Sequence, residues 1–245
     1  MHITRRSLIH GTAGLALSSL LPLRAWADDE HGTKLTPDQA LANLIEGNRK
    51  FAAGEPRAPF DIARLKDLAK AQEPWATIVC CSDSRVPPEL IFRTGFGELF
   101  VVRNAGNTAA STQSLGSIEY SVAPVKVPLI VVLGHSDCGA VKAATAVVES
   151  NATFNGSIGS MVEPIIPAAL AVRGRPGVPL DNGILENVRR VTARLRSPEQ
   201  PILYPPQLSG KLQVWGAVYD IASGMVHYTD IPPGLHLPGG GATEH

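Results

Sequence analysis

Cysteine is scarce: three residues in 245, at positions 80, 81 and 138. Three cannot make an even disulfide framework, and no C-x-x-C spacing occurs, so a stapled scaffold and a thioredoxin-like pair are both disfavoured. A vicinal Cys80–Cys81 disulfide would be strained. An excess of one charge is also missing, with 22 basic and 22 acidic residues giving a formal net charge of zero. That balance gives no reason to expect nucleic acid or an anionic membrane surface as partner. No apolar run reaches the ~20 residues needed to span a bilayer, and there are no internal repeats. The length suits one sizeable domain with appendages.

What chemistry there is gathers in two stretches. The first, Trp75 to Arg85, reads W-A-T-I-V-C-C-S-D-S-R. Its β-branched run suits a central strand. Cys81, Asp83 and Arg85 follow at i, i+2 and i+4, so an extended continuation would point all three to one side. Cys80, the neighbour of Cys81, then faces the other way and reads as core. The second stretch runs from the apolar segment 128–133 into G-H-S-D-C-G, which places His135 and Cys138 in an H-x-x-C arrangement at a strand-to-helix turn. Two thiolates and one imidazole from Cys81, Cys138 and His135 form a soft set that favours zinc. Three protein ligands leave a tetrahedral ion one position short, as in catalytic rather than structural zinc sites. Taken alone, Cys81 reads equally as an ordinary buried thiol.

Three motifs in register, C-S-D-S-R-V-P-P-E at 81–89, G-E-L-F-V-V-R-N-A-G-N at 97–107 and H-S-D-C-G-A-V at 135–141, make the chain resemble a β-class carbonic anhydrase over about residues 36–230. The resemblance implies zinc-dependent, reversible hydration of CO2 to bicarbonate and a proton. Zinc is then held by Cys81, His135 and Cys138, one ion per subunit. Asp83 and Arg85 act as a catalytic pair: unpaired, Asp83 would close the fourth zinc position, whereas a charge-assisted bond to Arg85 holds it aside to accept a hydrogen bond from the zinc-activated water. The alternative for this pair is a surface ion pair of little consequence. Gln72, Phe100 and Tyr120 match the residues that line the substrate pocket of the family's open type. The bicarbonate-gated type carries a Trp three residues before the first zinc cysteine, where this chain has Ile78. Phe100 and Tyr120 also read as plain core aromatics. The family builds its pocket between two subunits, so a homodimer or higher homo-oligomer is expected. Other readings are a non-catalytic periplasmic zinc-binding protein, with His227 or Asp83 completing the coordination, and a CS2 or COS hydrolase on the same scaffold.

The expected fold is α/β: a mostly parallel sheet of about four to five strands flanked by helices. Strands are predicted at 75–81, 99–103, 128–134, 211–220 and 225–229. Helices are predicted from Thr36 to about Gly54 and over 61–71, 111–123, 139–149, 157–172 and 183–195, with a short one from Pro87. The first helix either caps its own sheet or lies across the partner subunit. Pro205 and Pro206 interrupt a helix usual in the family. Residues 1–27 carry Arg5, Arg6 and Arg24, no acid, a small apolar run and an A-x-A ending, which resembles a cleaved twin-arginine signal and predicts export to the periplasm, with no membrane contact afterwards. Removing those three arginines leaves 19 basic against 22 acidic residues, a net charge of −3. Residues 28–35 read as a linker, 36–230 as the domain and 231–245 as a flexible tail.

Overall fold

The strand β1 (Ala76–Cys80) is buried along its whole length, with a strand on either side of it and helices packed over both faces of the sheet. In the computed structural model, which describes residues 32–57 and 61–237, β1 pairs in parallel with β2 (Leu99–Arg103) and β3 (Leu129–His135). β3 pairs in parallel with β4 (Gln213–Tyr219), and β5 (Val226–Asp230) closes the edge antiparallel to β4. The order is β2-β1-β3-β4-β5. Apolar, β-branched runs such as Ile130–Val132 suit strands covered on both faces. The expected signal segment 1–27, half of the linker 28–35 and the end of the expected tail lie outside the described residues.

One face of the sheet presents Ile78, Cys80, Val131, Leu133 and Trp215 to α1 (Pro37–Ala52) and α3 (Pro88–Ile91), which contribute Leu41, Leu44 and Ile91. The other face presents Val79, Val102, Ile130, Val132 and Val214 to α4 (Thr112–Val122) and α8 (Pro179–Arg196), which contribute Ile118, Val122, Val188, Val191 and Leu195. The two-residue period of a strand separates these sets. α1 begins at a capping box, with Thr36 and Gln39 each bonding the other's backbone. It packs on its own sheet: the buried Asn48 accepts from the Val226 N–H at 2.8 Å and donates to the Gly224 carbonyl at 2.9 Å.

Several elements depart from expectation for local reasons. The predicted helix 157–172 is three pieces, α6 (Ile158–Val162), a 3-10 turn at Glu163–Ile165 and α7 (Ile166–Val172). Pro164 and Pro167 cannot donate within a continuing helix. α8 begins four residues earlier than predicted, with Pro179 in the first turn where its missing N–H costs nothing. Pro205 and Pro206 likewise sit in the first turn of a short α9 (Tyr204–Leu208) instead of only breaking a helix. The helix predicted over 61–71 shrinks to α2 (Leu65–Leu68). α5 (Gly139–Ser150) follows β3 as expected. Leu235 and Leu237 pack against the α1-side core, so this part of the expected flexible tail is anchored.

Candidate metal centre

In an open sheet of order 2-1-3-4, the chain departs in opposite directions after β1 and β3, and a crevice opens between their carboxyl ends. Cys81 follows β1 directly, His135 is the last residue of β3, and Cys138 is the N-cap of α5. Their ligand atoms all lie within 4.8 Å of one another, and all three residues are buried. Among the described residues this is the cluster of metal-ligating side chains that emerges.

The histidine is prepared for a metal. Its Nδ1 lies 2.9 Å from the Ser136 carbonyl, which can only accept, so Nδ1 carries the proton. Nε2 is left as a lone pair, fully buried and without a hydrogen-bond partner. An orphaned acceptor beside two thiols is costly unless something binds it. Ser136 is itself held, its N–H donating to the Tyr219 carbonyl at 2.9 Å and its hydroxyl accepting from the Ile221 N–H at 3.0 Å. The Cys138 thiol, donating to Cys81, makes Cys81 the readier thiolate against the cost of burial, with help from the Gly106 N–H. The same bond, with burial, pushes Cys138 up. Two sulfurs and an imidazole nitrogen, desolvated and convergent, fit zinc.

Asp83 and Arg85 come together differently from expectation. Residues 82–86 do not continue the strand; they turn, with the Val86 N–H donating to the Asp83 carbonyl at 3.0 Å. The turn brings Arg85 back onto Asp83. Arg85 Nε donates to Oδ1 at 3.0 Å and Nη2 to Oδ2 at 2.8 Å, and the Arg85 backbone N–H adds a third bond at 2.9 Å. The guanidinium thereby holds the Asp83 carboxyl well below the usual carboxylate range, against a smaller opposing effect of burial. Asp83 Oδ2 is 4.0 Å from His135 Nε2, so the carboxylate stands at the edge of the ligand cluster and outside it. His227, on β5, is exposed, pairs with Val218 and is likewise outside the cluster.

The rings of Phe100 and Tyr120 are tilted against each other with centroids 6.3 Å apart. Phe100 pairs with Thr77 in the sheet, four positions before Cys81, which at ~3.3 Å per residue is about 13 Å along the strand. Gln72 is exposed and lies still further back, ahead of β1. Cys80 faces the α1-side core, and burial pushes its thiol up to about 12.

Three residues that hold the site drew no attention in the sequence. Arg103, at the end of β2, donates to the carbonyls of Cys81 at 3.0 Å and Asp83 at 2.7 Å, clamping the turn from behind. Asn104 ties the next loop by accepting from the Thr108 N–H at 2.8 Å and donating to the Thr108 carbonyl at 2.7 Å. Asn187 of α8, 2% exposed, donates to the Gly106 carbonyl at 2.9 Å. Gly106 reaches the metal centre in turn, its N–H lying 3.4 Å from Cys81 Sγ. At φ 77°, and with Ile165 Cδ1 only 2.3 Å from where a Cβ would sit, any side chain at this position would be strained. Arg103 and Asn104 lie inside a quoted motif, whereas nothing local marks Asn187.

The sequence pattern of the carbonic anhydrase family matches residues 76–226. A carbonic anhydrase of Mycolicibacterium smegmatis is 38% identical over 191 residues, covering 78% of this chain and 92% of its own. One from Pseudomonas aeruginosa is 37% identical over 197 residues, covering 78% and 88%. Among solved structures, a tetrameric β-carbonic anhydrase of Sordaria macrospora superposes with a TM-score of 0.60 at 26% identity, over 67% of this chain and 84% of that one. The Coccomyxa β-carbonic anhydrase solved with acetazolamide gives 0.58 at 27% identity, over 77% and 85%. Matched in sequence along most of its length, and in the architecture that brings two cysteines and a histidine to one crevice, the chain belongs to the β-class carbonic anhydrase family.

Proposed function

We propose that the chain catalyses the reversible hydration of CO2 to bicarbonate and a proton at a zinc ion held by Cys81, His135 and Cys138. When bound, zinc supplies Lewis-acid activation of water. The observation that carries the reading is the three-ligand cluster with Asp83 clamped beside it and kept out of it. Asp83, ionised by its bonds to Arg85, is an acceptor at any working pH and orients the attacking water through a hydrogen bond. Arg85 keeps that carboxylate from becoming a fourth ligand. Arg103 keeps the turn that presents both. A non-catalytic zinc module would require a fourth protein ligand, which the described cluster lacks.

Gln72, Phe100 and Tyr120 then serve as the open-type substrate lining of a neighbouring subunit. Their distance from the ligands within one chain supports that arrangement, as does the tetrameric state of the Sordaria macrospora relative. Residues 1–27 support export to the periplasm and removal of that segment, and 36–230 then form the working domain.

The test is stopped-flow CO2 hydration on the mature protein, with metal content measured alongside. One zinc per chain and a rate that climbs from pH 6 to 9 are expected, because two thiolates offset the ion's charge and make water harder to activate than three histidines do. Stoichiometric zinc without acceleration overturns the reading. Cell fractionation of a tagged chain, with Arg5 and Arg6 replaced by lysine as control, tests export.

A further inference from the structure

Between His135 and Cys138 the backbone passes through Asp137 at a positive φ of 55°. Asp and Asn tolerate that conformation better than other residues with a Cβ. The turn sets Asp137 in front of Arg85. Arg85 Nε and Nη2 face Asp83; Nη2 also lies 3.4 Å from the Asp137 carbonyl, and the far nitrogen Nη1 forms an ion pair with Asp137 Oδ2 at 3.7 Å. The second carboxylate oxygen of Asp137, Oδ1, accepts from Lys142 Nζ at 2.7 Å. Four charges of alternating sign therefore run outward from the crevice: Asp83, Arg85, Asp137 and Lys142.

A planar guanidinium can turn about its stem, and an edge-on grip on one carboxylate does not by itself choose the rotamer of a side chain 45% exposed. A second carboxylate, paired with the opposite end at 3.7 Å, favours one. Building on the restraint of Asp83 by Arg85 set out above, on which it depends, we propose that Asp137 is a positioning residue: it fixes the orientation in which Arg85 keeps Asp83 off the metal, and Lys142 steadies Asp137 for that role. Exposed ion pairs add little to folding. Here the pair acts on a different balance, between two postures of Asp83.

Asp137 also precedes a helix N-terminus, where an acid is favourable for structural reasons alone, so the test must separate the two roles. Asp137→Asn keeps the shape and the backbone preference and removes the charge. Zinc content stays at one per chain, kcat falls about two- to five-fold, the range an exposed ion pair allows, and KM changes less. In the cobalt-substituted protein the visible spectrum moves part of the way towards that of Arg85→Ala. Lys142→Met moves both in the same direction by less. In an Arg85→Ala background, Asp137→Asn produces no further loss. An unchanged kcat and cobalt spectrum overturns the proposal, as does an equal fractional loss with and without Arg85. If Arg85→Ala itself leaves the spectrum and turnover of the parent, the restraint of Asp83 fails, and this role falls with it.

Discussion

Asn187→Leu tests whether α8, whose Ile184 packs in the same cluster as Cys81 and Cys138, supports the metal centre. Leucine keeps about the same volume and removes one hydrogen bond, that to the Gly106 carbonyl at 2.9 Å. The carbonyl is then buried without a partner, which costs about 1–3 kcal/mol. For a domain of 150–250 residues that lowers Tm by about 2–12 °C, taking ~2–4 °C per kcal/mol. The loss reaches the metal because the same glycine points its N–H at Cys81 Sγ, 3.4 Å away. A ligand whose supporting bond loosens binds metal more weakly, typically by ~10–100-fold; the lower end is expected, since Gly106 remains boxed in by Ile165 and Ala140. Thermal melts at fixed protein and zinc concentration read the first effect, and competition with a coloured chelator reads the second. A Tm drop with unchanged zinc affinity would show that α8 supports the fold without supporting the site. No change in either would refute the reasoning entirely.

Arg85→Ala should retain one zinc per chain and lose most turnover, checked by metal analysis beside stopped-flow hydration; retained turnover would show that Asp83 needs no restraint. Cys80→Ala should keep its zinc at a cost of about 1 kcal/mol in urea unfolding, whereas Cys81→Ala should lose it, because the two neighbours face different sides of the strand. Glu186, with Arg189 and Arg190 against it, has its carboxyl held below the usual range, first by the bond from Arg189. Its folded value lies below the unfolded one, so its contribution is complete above about pH 4.3 and is lost as pH falls through the folded value. Urea midpoints of Glu186→Gln should therefore fall less steeply than the parent's below about pH 4.3; parallel acid limbs would contradict this.

Much of the site was legible because its chemistry is local in sequence. Cys81 sits at the end of an apolar strand, and His135 and Cys138 are three residues apart on a strand-to-helix turn, so each stretch could be marked from strand alternation and ligand softness, and the resemblance to the family joined Cys81 to the other two. The same alternation correctly set Cys80 in the core. Asp83 and Arg85 were also paired from spacing, but on the wrong geometry: an extended chain would have aligned them, and it is a turn, sealed by Val86 and Arg103, that folds one onto the other. Helix breaks at Pro164 and Pro167 were readable in principle, since each proline removes a donor. The amphipathic period hid them.

The sequence by itself determined the alternation of strands and helices, the metal-ligand set and the family, because each depends on periodicity or on short motifs that keep their order and spacing along the chain. Tertiary structure alone decided that Asn187 supports a loop 81 residues away, that Asp137 faces Arg85 across the crevice, and that Gln72, Phe100 and Tyr120 stand away from their own chain's ligands. Those relations depend on which strand lies beside which and on how closely a helix approaches the sheet. Such choices are made by packing across the whole core, and no local pattern encodes them.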